Sequence, residues 1–342
     1  MKIKLFILLL FGLVLSGCGG DQTPVYAARF EAFNATVDVH LLGLSRDTAI
    51  LRAREIEQDF VFLDRTFYVP HSGALDRLNE HLAAGELVVA PPALWPLLAR
   101  SQVLAERSDD LFNPALGLLY KAWDLNDPVP CQAPSPQTAT LERIVATEPK
   151  LNQLYRQDLT LGSDNPAVRL DFRHGAKGYA LDLAIQHLRD QGLRHAMVRI
   201  GSNVRVIGHR AGRPWRIPVV RASGSGVFGM LNLSGDASVF TASIHHDGCL
   251  RDGQPLHSLL DPRTGRPAND FIAVTVVHEG DALTAEAGAV ALFVAGADDW
   301  EALAKQLGLN KVLLFDRQGG VYMTPELTAQ LERVAEPGVA VP

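Results

Sequence analysis

Between His195 and Ala242 five short apolar-rich segments follow one another with little chain between them: His195 to Ile200, Val204 to Gly208, Trp215 to Val220, Gly229 to Leu233 and Ala237 to Ala242. Gaps this short join neighbouring strands by hairpins, because a parallel neighbour needs a crossover of about a dozen residues or more. The run therefore predicts a largely antiparallel sheet, and helical patterns flank it. Between Arg46 and Phe67, Ile50, Ala53, Ile56, Phe60 and Leu63 recur at the spacing of an amphipathic helix. Leu75, Leu78 and Leu82 continue on a second helix after a break at Pro70 to Gly73, and Pro91 to Arg107 makes a third. Lys177 to Gln191 reads as a helix stopped by Gly192. Leu283 to Val294, with a core stripe of Leu283, Ala287, Val290, Ala291 and Val294, and Asp298 to Leu307 read the same way. Ala28 to Leu42, Val168 to Phe172 and Ile272 to Val277 are expected as strands, and Val312 to Tyr322 as a hairpin turning at Gln318-Gly319-Gly320. The fold class is thus α/β in the α+β sense, a largely antiparallel sheet with packed helices. The polar, proline-rich stretch from Asp124 to Pro136 marks a soft junction between two lobes.

The first residues decide the compartment. Lys2 and Lys4 precede an apolar run from Leu5 to Leu15, which leads into Leu15-Ser16-Gly17-Cys18. That is a secretory signal, too short to span a bilayer comfortably. It resembles a bacterial lipoprotein signal, which implies cleavage after residue 17 and a lipid on Cys18. Residues 18–27 are then a tether, and the protein is expected to face the periplasm from the inner or outer membrane. Export implies an oxidising space in which Cys131 and Cys249 are the remaining thiols. A net charge of −6 argues against a general nucleic-acid binder, which needs a basic face.

Chemistry-bearing residues gather in three places. His257-Ser258-Leu259-Leu260-Asp261-Pro262-Arg263-Thr264-Gly265-Arg266-Pro267 runs from an extended apolar pair into an Asp-Pro, Thr-Gly turn. It offers a histidine, a residue type that titrates near neutral pH, a carboxylate, and turn amides suited to phosphate. Asp171 to Asp182 passes from a strand through Gly175 into a helix. That geometry aims amides and Lys177 at an anion, with helix dipole and ammonium adding together. The third place, His245, His246, Asp247, Cys249 and His257, has an irregular spacing that fits no zinc pattern.

Taken in order, these pieces resemble the FAD:protein FMN transferase family, the ApbE-type flavinyltransferases. The matching runs are Leu63 to Asn79, Phe112-Asn113-Pro114, Asp171 with Ala176-Lys177-Gly178-Tyr179-Ala180 and Asp182, Gly201-Ser202-Asn203 with Gly208 and Pro214-Trp215, and His257 to Pro267. The resemblance covers residues 28–325 and leaves 326–342 as a C-terminal tail. It implies transfer of FMN from FAD to a threonine or serine hydroxyl of an exported flavoprotein, release of AMP, and Mg²⁺. Tyr68, Asn113, Asp171, Lys177 and Leu260 fall where the family contacts FAD, with Thr264 and Gly265 in the adjoining turn. His257 falls on the family's characteristic histidine, for phosphate contact or proton transfer, with Asp261 as its catalytic companion. The metal positions fall on Glu286, Val290 and the backbone carbonyl of His174. The chain departs from the family pattern at these places: Glu286 replaces aspartate, Val290 replaces threonine, and Arg173-His174 replaces paired glycines. A member that has kept the fold as a non-catalytic flavin-binding or assembly factor is the alternative.

Overall fold

The computed structural model describes residues 24–68, 73–125, 134–221, 226–244 and 249–334. Cys18, Cys131, the histidines at 245 and 246, and most of the expected lobe junction lie outside these residues.

Strands β1 (Val25–Ala32) and β2 (Ala35–Leu42) open the chain, followed by helices α1 (Arg46–Phe67) and α2 (Gly73–Ala83). Next come β3 (Val88–Val89), α3 (Leu94–Arg107), α4 (Gly117–Ala122), α5 (Thr138–Val145), β4 (Leu154–Gln157) and β5 (Thr160–Ser163). Helix α6 (Ala176–Asp190) leads into β6 (Ala196–Ile200), β7 (Asn203–Ile207), β8 (Trp215–Val220), β9 (Val227–Leu233) and β10 (Ala237–Ser243). The hairpin β11 (Cys249–Arg251) and β12 (Gln254–Leu256) precedes β13 (Phe271–His278), α7 (Ala282–Ala295) and α8 (Trp300–Leu307). The described chain closes with β14 (Val312–Asp316), β15 (Val321–Met323), α9 (Pro325–Gln330) and β16 (Leu331–Arg333).

Eight strands form one antiparallel sheet in the order β1-β2-β6-β7-β10-β13-β14-β15. Successive side chains of a strand point to opposite faces, and both faces of this sheet are covered. Ala196, Val198, Ile200, Val274, Val276, Val312 and Leu314 join the helices in the larger core. Their neighbours Val204, Val206, Val277, Leu313 and Phe315 meet Trp215, Ile217 and Leu231 of the small sheet β16-β9-β8. A third cluster joins α4 and α5 to Leu256 and Leu260.

Three expectations are corrected. Ala28 to Leu42 is a hairpin rather than one strand, since Phe33 and Asn34 take φ of 57° and 53° and reverse the chain. Left-handed φ suits Asn but is costly for Phe. Burial holds Phe33 there, edge-on to Phe60 and Tyr68 at 5.9 and 5.5 Å. The hairpin begins at Val25, inside the expected tether. Val168 to Phe172 makes one parallel bridge, Leu116 to Arg169, instead of a ladder. The Asn79 side chain takes a partner strand's place: Oδ1 accepts from Leu170 N–H at 2.7 Å and Nδ2 donates to its carbonyl at 2.9 Å. Residues beyond 325 also fold, because β16 pairs with β9 and buries Leu327 and Leu331 in the second core.

Helix α7 is buried almost all round rather than along one stripe, Glu286 included. Its N-terminus is capped by Asp281, whose side chain accepts from Thr284 N–H at 2.8 Å. It lies close against α6. A Cβ on Gly178 would stand 2.7 Å from the Ala282 carbonyl and 2.8 Å from the Glu286 carboxylate. Arg100 of α3 donates to Asp182 at 2.7 Å and to Asp281 at 2.5 Å, tying the three helices. The start of α6 is thereby held rigidly.

Candidate active site

Four pieces of chain meet at the start of α6. They are the 111–116 loop, the 171–175 approach, the turn beginning at His257, and the middle of α7. Asn113, Asp171, His174, Ser258, Leu260 and Val290 line one cavity between them, with Tyr120 on its wall. Five of these were singled out from the sequence, and they lie up to 177 positions apart (290 − 113). The cavity is small, about 10 Å³, which is room for roughly one water.

Two of its lining residues, Asp171 and Tyr120, are held by Arg173, and His174 lines it directly; Arg173 and His174 are the pair standing in place of the family's glycines. The Arg173 guanidinium grips the buried Asp171 carboxylate, with Nη2 at 2.8 Å and Nε at 3.0 Å. It also lies 4.0 Å over the Tyr120 ring. A fork-shaped donor on a carboxylate, stacked on an aromatic, is the geometry arginine favours. His174 stands edge-on to the same ring at 6.3 Å, and its Nε2 is 3.1 Å from the Ser258 carbonyl. A carbonyl only accepts, so Nε2 carries a proton. Asn113 shapes the wall: Nδ2 donates to the Pro149 carbonyl at 2.8 Å and Oδ1 accepts from Ala115 N–H at 2.9 Å.

Lys177 is the second residue of α6, two positions after the Gly175 cap whose φ of 123° admits little but glycine. Its ammonium lies 5.2 Å over the ring of Tyr68, which ends α1. An aromatic face, a cation and a helix N-terminus therefore stand side by side, a surface suited to a flat ring carrying phosphates.

The turn after His257 is built from its own charged residues. Asp261 accepts from the Arg263 backbone N–H at 2.8 Å and from its guanidinium at 2.9 and 3.0 Å. Thr264 Oγ1 accepts from Arg266 N–H at 3.2 Å, and the Gly265 carbonyl accepts from Trp123 Nε1 at 2.7 Å. These contacts give Asp261, Thr264 and Gly265 the task of fixing the turn, and none of the three lines the cavity. His257 is 1% exposed and packs against Phe293 of α7 at 5.8 Å. Its Nδ1 accepts from Leu259 N–H at 3.3 Å, so the ring proton is on Nε2. That tautomer suits holding an oxygen rather than removing a proton. The structure brings Leu260 and Ser258 to the cavity wall and sends His257 behind it.

The metal positions are adjacent in space, but their chemistry does not suit magnesium. Glu286 Oε2 accepts from Gly178 N–H at 2.6 Å, and Gly175 N–H also reaches the carboxyl, so the group caps α6. Burial pushes its pKa up to about 7, against the lowering effects of the two amides and Lys177. Val290, one turn on, reaches the cavity wall without an oxygen. The described residues hold no group of three or more His, Cys, Asp or Glu side chains able to share an ion. Mg²⁺ demands hard oxygens in near-octahedral order, which a glutamate already capping α6 and a valine do not supply.

The residues that sequence reasoning missed are Tyr120, Ser258 and the side chains of Arg173 and His174. The replacement of two glycines by large polar residues was the signal. Among the described residues, no helix is long and apolar enough to cross a membrane.

A family profile described as the ApbE family matches residues 33–313. The chain is 34% identical over 326 residues to a FAD:protein FMN transferase of Rhodobacter capsulatus, an alignment covering 94% of this chain and 62% of that one. It is 26% identical over 336 residues to one from Treponema pallidum, covering 92% and 91%. The ApbE protein of Thermotoga maritima superposes with a TM-score of 0.80 at 26% identity, covering 91% of this chain and 100% of that one. The apo flavinyl transferase ApbE of Pseudomonas stutzeri does so with 0.76 at 25%, covering 90% and 97%. In sequence and in fold alike, this chain belongs to the ApbE family.

Proposed function

We propose that the chain transfers FMN from FAD to a threonine or serine hydroxyl of an exported flavoprotein and releases AMP. The observation that carries this reading is the convergence of Asn113, Asp171, His174 and Leu260 on one cavity just before α6, whose first turn carries Lys177 beside Tyr68. In the reaction the hydroxyl oxygen bonds to the FMN phosphorus, the pyrophosphate P–O bond breaks, and AMP leaves with the electron pair. Negative charge grows on both phosphoryl groups and has to be met by fixed donors. The Lys177 ammonium supplies one, and the Arg173 guanidinium stands close by on Asp171. The hydroxyl proton goes to the departing AMP phosphate, and His174, on the cavity wall, borders the path. No step is routed through Mg²⁺, because Glu286 and Val290 do not form a site for it.

The protein is anchored by lipid at Cys18 and faces the periplasm in this reading, supported by the signal-like residues 1–17 and the cysteine that follows. The test is incubation with FAD and an acceptor domain, followed by intact mass spectrometry. An added FMN on the acceptor, absent when its hydroxyl residue is replaced by alanine, supports transfer. Bound FAD with an unmodified acceptor contradicts it. The second reading, a flavin-binding member without transfer, is favoured by one observation: the cavity lined by His174 has room for about one water.

A further inference from the structure

Arg251 ends β11, across from Gln254 in a hairpin that turns at Asp252 and Gly253, both with positive φ. Its side chain is turned inward and the residue is 4% exposed. One end of the guanidinium is used: Nη1 donates to the Trp123 carbonyl at 3.0 Å and reaches that of Pro134 at 3.5 Å. Nε and Nη2 are buried and have no hydrogen-bond partner among the described residues. Nor does any carboxylate among them form an ion pair with Arg251. A guanidinium cannot shed its proton, so a buried, half-satisfied one is strongly unfavourable unless a counter-charge arrives.

The place for that charge is open. Arg251 lines a pocket of about 160 Å³, far above the roughly 10–15 Å³ that one ordered water needs. Arg266 stands on the same wall and is exposed, its Nη2 held by Thr138 Oγ1 at 2.9 Å. Gln254, Asn269 and Ser135 add polar atoms around it, and among the described residues Asp252 is the one carboxylate lining it. The apolar cluster of Leu116, Leu119, Tyr120, Trp123, Leu256 and Leu260 stands between this pocket and the flavin cavity. Tyr120 and Leu260 face the cavity, while Trp123 and Leu256 face the pocket.

We propose that this pocket binds an oxyanion, a carboxylate or a phosphate, between the buried Arg251 guanidinium and Arg266. Planar donors in a fork match two oxygens of either group. Its two natural sources are the phosphate of a nucleotide and an acidic side chain of a docked acceptor. Binding is independent of whether FMN transfer occurs, so failure here and failure of the transfer reading are separate results.

The experiment is calorimetric titration of the chain with inorganic phosphate and with acetate at fixed ionic strength. Saturable binding is expected, weakened about tenfold or more by Arg251→Gln and also weakened by Arg266→Ala, with FAD affinity unchanged in the latter. Should Arg251→Gln fail to fold, Arg266→Ala combined with Gln254→Ala decides the matter on the folded protein. Competition then names the source: displacement of phosphate by AMP assigns the pocket to a nucleotide, and displacement by the acceptor domain alone assigns it to an acidic side chain. No saturable binding of either anion, or binding unchanged in the variants, overturns the proposal.

Discussion

Replacing Glu286 with glutamine should abolish one component of the protein's pH dependence. The carboxyl is buried, and its pKa is raised from 4.5 to about 7 chiefly by loss of hydration. Between those values the folded state keeps a proton that the unfolded state has released. Stability therefore falls as pH rises through that window, and the loss is complete above pH 7. A shift of this size corresponds to about 3 kcal/mol at 1.36 kcal/mol per unit. Glutamine keeps an oxygen for Gly178 N–H and cannot ionise, so Glu286→Gln should flatten the slope and gain on the wild type most above pH 7. Urea unfolding midpoints of both proteins from pH 4.5 to 8 provide the measurement. Parallel curves would refute the reasoning. The metal can be examined on the same samples: an ion held by Glu286 would favour the ionised form and stabilise the wild type at pH 8. Added Mg²⁺ should instead leave both midpoints unchanged.

Other substitutions test individual contacts. Arg173→Met should cost about 3–5 kcal/mol in stability, because it leaves the buried Asp171 carboxylate without its partner. Arg173→Met joined to Asp171→Asn should recover much of that loss. Lys177→Ala should weaken FAD binding by about 1–3 kcal/mol while riboflavin, which has no phosphates, is nearly indifferent; equal losses in calorimetry would show that Lys177 acts through the fold. Asn79→Ala should destabilise by about 1–3 kcal/mol for each Leu170 backbone group it strands, read by thermal or urea unfolding, with little change if water replaces the amide.

Periodic stretches were legible in the sequence because burial repeats at the helix or strand period. Arg46 to Phe67 folds as one helix with Ile56, Phe60 and Leu63 inward, and the short segments from His195 onward pair antiparallel. What periodicity could not reveal was local chemistry that imitates structure. Phe33-Asn34 turns the chain without a glycine to announce it, and the Asn79 amide does for Leu170 what a neighbouring strand would do. The site followed a similar division. Order along the chain pointed to Asn113, Asp171, Leu260 and Val290, and the fold brings them together. Direction of side chains was hidden: His257, expected to contact phosphate or move a proton, has its ring against Phe293. Glu286 likewise reads as a ligand on a helical wheel but caps α6, a contact between residues 108 positions apart.

The most direct measurement is a joint count of AMP and flavinylated acceptor formed by this chain from FAD, made with chelator present and with Mg²⁺ added. The two products should appear one for one and chelator should not stop them, since the Lys177 ammonium meets the phosphate charge and Glu286 and Val290 form no metal site. Bound FAD yielding neither AMP nor adduct under either condition would contradict it.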